Sequence, residues 1–364
     1  MDFRLDDEQE LLVATLRRFV DKQMAAWASD ADRAGAPPDA LGPAAAELGL
    51  GTDAVPEAAG GTLDGDAAAY SHLSRALRAI ELGRGCAALA ALLETNVEPA
   101  LAVARWGSDA ARDQLWGSLA AGEVAATVFD RRGRLAVEPD GDGVRITGTT
   151  GPVPALAAAA HALVCADGAV ALVPAADAEI APIVPSGWRA ARWGTLACDR
   201  TPVPADRLLA RGDAARAAAA EIRTWYCLNL AARAVGVAAA AMAHAAAYAA
   251  ERVQFGQPIG TFESIARLQD ENDTRVAAAR LLVLHAAWQV DAGAAGAADA
   301  VSRARDFAAG AVSRATIDAV QIFGGYGFVN DYPVEKLMRD ARAFEVLAGE
   351  EAFERVVARG PAAG

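Results

Sequence analysis

The stretch 231–260 constrains this chain more than any other. An Ala-rich apolar run over 231–250 closes with Tyr248-Ala-Ala-Glu-Arg252, and Gly256, Pro258 and Gly260 follow. These residues are the punctuation expected just past a helix C-terminus. Arg252 stands where the helix dipole favours a cation, and its guanidinium is a fixed charge for an anionic group. A second landmark is Gln321-Ile-Phe-Gly-Gly-Tyr-Gly-Phe328. Its paired glycines, Gly324 and Gly325, carry no side chain to keep a ligand away from the backbone. Taken singly, the two pieces read as a helix end and a loop.

With 364 residues the chain can bury a large core in two or three domains. Hydrophobic residues make up 54%, Ala dominates, and lysine occurs only at Lys22 and Lys336. Such a composition favours helix. A formal charge of −13 argues against nucleic acid or an anionic membrane as a general partner. It leaves room for an anion held by a local arginine. Cys86, Cys165, Cys198 and Cys227 are scattered, as are His72, His161, His244 and His285. No metal or redox spacing emerges, so no metal site is expected and the thiols read as buried and free in a reducing cytoplasm. The start, Met1-Asp-Phe-Arg-Leu-Asp-Asp-Glu8, lacks the apolar core of a signal peptide. The Ala-rich run is interrupted by His244 and Tyr248, which reads as a bundle helix and not a membrane span.

Taken in order, 6–28 has the apolar spacing of an amphipathic helix, with Asp6 and Gln9 as a helix-start signal. Pro37-Pro38 opens a short helix ending near Leu50, and a Pro-Glu…Gly-Gly turn follows at 56–61. Helical patterns cover 64–84, 87–106 and 108–121, the last capped by Ser108 and Asp109. From Val124 short alternating runs separated by Asp, Gly and Pro predict strands, with Asp140-Gly-Asp-Gly143 as a hairpin turn. After Asp213 four or five helices extend to the end. The expected fold is α+β, mainly α. It divides into an N-terminal helical domain (1–122), a small middle β-domain (123–212) and a C-terminal helical bundle (213–364).

The Glu251-Arg-Val-Gln-Phe-Gly256 and Gln321…Gly325 segments, followed by Tyr332-Pro-Val-Glu-Lys-Leu-Met-Arg-Asp-Ala341, resemble the acyl-CoA dehydrogenase family. The α–β–α order extends the resemblance to nearly the whole chain, although its motifs are sharp only in the last third. In that family these segments bind the pyrophosphate and adenosine end of an FAD belonging to the neighbouring subunit. The resemblance therefore implies that Arg252 pairs with the pyrophosphate and Phe255 packs on the dinucleotide. Gln254 belongs to the same set, and Gln321 with the Gly324-Gly325 backbone holds the adenosine side.

The family's reaction is α,β-dehydrogenation of an acyl-CoA thioester, which needs a carboxylate base at the α-carbon beside the flavin. Most members carry that Glu in a Tyr-Glu-Gly-Thr segment soon after Arg-Asp-Ala. The matching run here is Arg339-Asp-Ala-Arg-Ala-Phe-Glu-Val-Leu-Ala-Gly-Glu350, with Ala348 at the Glu position and Glu350 at the Thr position. A minority carries the base on the preceding long helix, where Tyr226 stands, and a phenol is protonated at neutral pH. Glu221 is more than a turn away. The β-domain departs as well. Ala126-Thr-Val-Phe-Asp130 keeps only Thr127 of a flavin-contacting strand. Pro152 and Pro154 replace the Trp and Thr of a second contact and remove backbone donors.

The positions that would form the chain's own flavin and acyl site are thus altered, and those that reach a neighbour's FAD survive. The expectation is a chain with no catalytic residue of its own that shares FAD with a base-bearing acyl-CoA dehydrogenase subunit in an α2β2 hetero-oligomer. That partner would bind the acyl-CoA, with steroid side-chain thioesters as one candidate class. The alternatives are a self-sufficient dehydrogenase with Glu350 as relocated base, and a scaffold that touches no FAD.

Overall fold

A computed structural model describes residues 4–65, 67–130 and 133–358, with residue 69 and residues 348–358 described by their backbone alone. Helix α1 (Asp7–Phe19) starts as its sequence predicts. The Asp6 carboxylate accepts the Gln9 N–H at 2.8 Å, and the Gln9 side chain accepts the Asp6 N–H at 3.3 Å. A π-helical turn (Val20–Met24) leads into α2 (Ala25–Ala34), which ends at Gly35. Helix α3 (Leu41–Glu47) is shorter than expected. Helix α4 (His72–Gly85) begins well after Asp64. The Ser71 hydroxyl accepts the Ser74 N–H at 3.1 Å, and this specific cap outweighs the helix propensity of the alanines before it. The stretch 87–106 divides into α5 (Ala87–Glu94) and α6 (Val97–Trp106). The break lies at Asn96, whose side chain donates to the Gly51 carbonyl at 2.9 Å and accepts the Ala125 N–H at 2.8 Å. Helix α7 (Asp109–Ala120) is capped by Ser108, as its sequence predicts.

Among the described residues eight strands follow: β1 (Val124–Phe129), β2 (Leu135–Asp140), β3 (Gly143–Thr149), β4 (Ala159–Ala166), β5 (Ala169–Pro174), β6 (Glu179–Pro182), β7 (Gly194–Val203) and β8 (Leu208–Arg211). They form two four-stranded sheets, ordered β1-β4-β5-β8 and β2-β3-β7-β6. All neighbours are antiparallel except β1 and β4. Alternation sorts the side chains of the first sheet. Val128, Val164 and Ala171 join Ile146 and Leu196 of the second sheet in one core. Leu163, Cys165, Val170 and Leu172 pack with Val103, Leu115 and Ile222 of the helices in another.

The remaining chain is a helical bundle: α8 (Gly212–Glu251), α9 (Glu263–Asp291), α10 (Ala297–Phe323) and α11 (Pro333–Ala358). Between α8 and α9 lies a hairpin of β9 (Val253–Gln254) and β10 (Gln257–Pro258). Small residues let α8 come close to its neighbours. A Cβ on Gly236 would stand 2.1 Å from the Ile80 carbonyl oxygen, so α4 and α8 cross backbone against backbone. The Ala-rich runs are this core. Segments 87–106 and 212–251 are long and apolar enough to cross a membrane, but 83% and 72% of their most apolar windows are buried inside the fold. The four cysteines are buried, and none is in a disulfide.

Candidate functional site

Helix α8 ends where the sequence places its breakers. Arg252 leaves the helix in an extended conformation, while its N–H still donates to the Tyr248 carbonyl at 2.8 Å. The hairpin pairs Gln254 with Gln257 and Val253 with Pro258. Its two-residue loop, Phe255-Gly256, has φ of 51° and 80°. Two successive left-handed residues make the mirror-image turn that suits a tight hairpin and favours Asn-Gly. A phenylalanine in that conformation costs about 1–2 kcal/mol. The Phe255 side chain is 94% exposed, with its ring edge-on to Phe262 at 6.3 Å.

The Gly-Gly turn meets the hairpin through an aromatic cluster. Helix α10 stops at Gly324, whose φ of 58° and ψ of −132° suit only glycine. A short 3-10 turn (Gly324–Phe328) then carries Tyr326 back toward the hairpin. The Arg252 guanidinium lies over the Tyr326 ring at 5.5 Å. Tyr248 stacks on Phe323 at 4.1 Å, and Tyr332 packs edge-on against both at 6.2 and 5.3 Å. Gln254, Gln321, Gly324 and Gly325 are exposed, and so are Val253 and Phe328. Among the described residues no carboxylate pairs with Arg252. The face therefore offers a half-buried, unpaired guanidinium, bare backbone and projecting aromatics.

Thr127, Pro152, Pro154 and Tyr226, from β1, the β3–β4 connection and α8, converge elsewhere. They line a cavity of about 220 Å³ together with Phe129, Asp130 and Arg134. Sites that enclose a drug-sized ligand usually measure about 300–1,000 Å³. The Tyr226 ring closes the space by packing edge-on to Phe129 at 5.4 Å. Neither proline has an N–H, and the N–H of Val153 between them is committed to the Gly194 carbonyl at 2.9 Å. The hydroxyl of buried Thr127 finds no partner among the described residues.

Behind Tyr226 only about 30 Å³ remains, bounded by Glu94, Glu98, Asn229 and Arg233. That is room for about one water. Glu94, fully buried, accepts from Arg78 Nε at 3.0 Å and lies 3.5 Å from Arg233 Nη2. Arg233 also donates to Asn229 at 3.3 Å, and Arg75 pairs with Glu98 at 2.8 Å. Burial pushes the Glu98 carboxyl up against the pull of Arg75 and pushes the Arg233 guanidinium down against that of Glu94. This interior plug joins α4, α5, α6 and α8, and nothing local in the sequence announces it.

The Arg339-Asp340 segment serves as a tie. Arg339 bonds Asp32 on α2 at 2.6 Å, Glu335 at 2.6 Å and the Ser186 carbonyl at 2.7 Å. Asp340 accepts the Trp188 N–H at 2.7 Å and pairs with Lys336 at 2.6 Å. Spacings of four residues, 335/339 and 336/340, are the signal that could have found it. Helix α11 runs unbroken through 348–350, but the side chains of Ala348 and Glu350 lie outside the described residues. Glu221 faces away from Tyr226 and pairs with Arg105 at 3.0 Å.

Two family models match: the acyl-CoA dehydrogenase N-terminal domain over residues 6–123 and the C-terminal domain over 218–359. A probable acyl-CoA dehydrogenase, fadE25 of Mycobacterium leprae, is 29% identical over 98% of this chain and 95% of its own length. An acyl-CoA dehydrogenase of Bacillus subtilis is 41% identical over 163 residues, 44% of this chain and 42% of that protein. Among solved structures, a chain of the ChsE4-ChsE5 complex from Mycobacterium tuberculosis superimposes with a TM-score of 0.85 at 26% identity, covering 100% of both chains. The chain belongs to the acyl-CoA dehydrogenase family, whose cofactor is FAD.

Proposed function

We propose that this chain is the non-catalytic subunit of a heteromeric acyl-CoA dehydrogenase and completes the FAD site of a base-bearing partner. The observation that carries this reading is the contrast within one helix. The middle of α8 borders a cavity of about 220 Å³ and a plugged one of about 30 Å³. The end of α8 presents an unpaired arginine on an exposed, strained hairpin. The space between Thr127, Pro154 and Tyr226 is small for an isoalloxazine ring, and Pro152 and Pro154 supply it no N–H donor. A pyrophosphate does fit at Arg252, which can donate two charge-assisted bonds in its fork geometry. Phe255 then packs on the dinucleotide, with Gln254, Gln321 and the Gly324-Gly325 backbone along its adenosine side. When bound, FAD supplies the hydride acceptor for α,β-dehydrogenation of an acyl-CoA thioester. The proton at the α-carbon is taken by the partner's carboxylate, because Ala348 and Tyr226 offer none.

Further support comes from the bundle. Over its 29 residues α9 buries only Asn272, Ala279, Val283, Ala286 and Ala287. Leu281, Leu282 and Trp288 on it, and Phe307 and Ile317 on α10, are exposed. Exposed apolar surface of this kind marks contact with another subunit. The full-length likeness to a chain of the ChsE4-ChsE5 complex fits an α2β2 assembly of unlike chains. The same reading takes 1–122, 123–212 and 213–364 as the domains, a cytoplasmic location, and steroid side-chain CoA thioesters as one candidate substrate class for the partner.

The test is the visible spectrum and flavin-to-chain ratio of the protein, expressed alone and with a base-bearing homologue from the same genome. The expected result is no flavin alone and about one FAD per pair of unlike chains together. A full complement of flavin in the lone homo-oligomer overturns the reading and moves attention to Glu350.

A further inference from the structure

Arginines in this chain are fixed in two ways. Arg75, Arg78 and Arg339 pair with Glu98, Asp53 and Asp32 at 2.8, 2.7 and 2.6 Å. Others lie over an aromatic ring. Arg105 and Arg233 stand 5.3 Å from the centroids of Trp106 and Trp188, and each has a carboxylate as well, Glu221 at 3.0 Å and Glu94 at 3.5 Å. Arg252 differs from both groups. Its guanidinium lies 5.5 Å from the centroid of Tyr326, and no carboxylate pairs with it among the described residues.

The two kinds of support leave an arginine in different chemical states. A carboxylate fixes the guanidinium by taking its N–H fork and cancelling its charge. A ring face attracts the cation through its quadrupole and uses no N–H donor. Arg252 is therefore oriented with both its charge and its donors left for an incoming anion.

The ring that does this is held by its own turn. Gly327 is buried, and a Cβ there would stand 2.6 Å from the Val320 carbonyl oxygen, so the turn sits with its backbone directly on α10. Tyr332 packs edge-on against the Tyr326 ring at 5.7 Å, and Tyr248 meets it tilted at 6.5 Å. Both of these rings are in turn packed on Phe323, the last residue of α10. Tyr326 thus has supports that do not depend on Arg252, while its side chain stays half-exposed beside the hairpin.

We infer that Tyr326 is a positioning residue for the FAD diphosphate and acts through Arg252. Its ring holds the guanidinium at the end of α8 with the N–H edge free for the diphosphate oxygens, and its hydroxyl takes no part. The inference rests on the reading that FAD binds at Arg252. It does not rest on the chain's place in a heteromer, because the geometry is the same whichever subunit owns the flavin.

The test is a double-mutant cycle on Arg252 and Tyr326, read as the FAD dissociation constant of the complex with a base-bearing homologue. Where the lone homo-oligomer carries the flavin, the same cycle is run on it. Tyr326→Leu should weaken FAD by about tenfold, and Tyr326→Phe should stay within about twofold of the unaltered chain. In an Arg252→Ala background Tyr326→Leu should add less than about twofold, since a residue that acts through Arg252 has nothing left to act on. Tyr326→Met stands in for the leucine variant should that chain fail to fold. A loss that persists in full in the Arg252→Ala background overturns the inference, as does a Tyr326→Phe variant as weak as Tyr326→Leu. Loss of FAD on Arg252→Ala with none on Tyr326→Leu overturns the inference alone. An Arg252→Ala oligomer that binds FAD unchanged overturns the reading beneath it as well.

Discussion

The middle and the end of α8 are made of similar material and finished differently. Around Tyr226 and Arg233 the charged groups find partners within the chain, and the space beside them is small. Around Arg252 the guanidinium has no carboxylate among the described residues, aromatic side chains project outward, and a hairpin holds Phe255 in a conformation that other residues adopt more easily. A region whose charges are paired internally has little charge left to offer a ligand. A region left incomplete at a local cost in stability implies that something outside the chain completes it.

Four substitutions break or sharpen that contrast. Glu94→Ala leaves Arg78 and Arg233 buried without their shared carboxylate, so the isolated chain should lose about 3–5 kcal/mol in denaturant unfolding. A loss under about 1 kcal/mol would mean that water already reaches the plug. Arg252→Ala should barely alter the isolated chain, yet weaken flavin retention by the complex about 30-fold or more, since a desolvated charged pair is worth about 2–5 kcal/mol. Unchanged flavin content in a complex that still assembles would instead mark the chain as a pure scaffold. Phe255→Asn creates the Asn-Gly turn that the hairpin geometry favours. The lone chain should gain about 0.5–1 kcal/mol while association with its partner weakens. If both improve, Phe255 is no anchor. Thr127→Val removes a buried hydroxyl with no partner, and stability should shift by less than about 1 kcal/mol with no change in the complex's flavin content. A loss of flavin there would place a cofactor in the cleft that looks closed.

Much of the fold could be read locally. The Asp6 capping box, the Ser108 cap, the turn at 140–143, and the breakers after Arg252 each declare themselves within a few residues, and the chain folds there as its sequence predicts. Other boundaries depended on competition between neighbours. Alanines at 67–69 favour helix, but Ser71 caps the next turn, and only a 3-10 turn forms before it. Asn96 divides an apolar stretch because its side chain is drawn to Gly51 and Ala125. The candidate site shows the same limit at longer range. Arg252 and Gly324 could be named from their segments, whereas their meeting across Tyr326 depends on how α8 and α10 pack. The contact between Glu94 and Arg233 joins positions 139 residues apart, a separation at which no sequence period carries information.

The tie built on Arg339 and Asp340 reaches beyond this molecule. These residues bind α2, the turn at 186–188 and α11 into one knot. The most recognisable text of the C-terminal segment therefore has a structural task of its own. A duplicated gene can shed its chemistry while its product still reads as an enzyme. A genome's tally of such text will then exceed its number of independent active sites, and the surplus chains are candidates for subunits that work only in company.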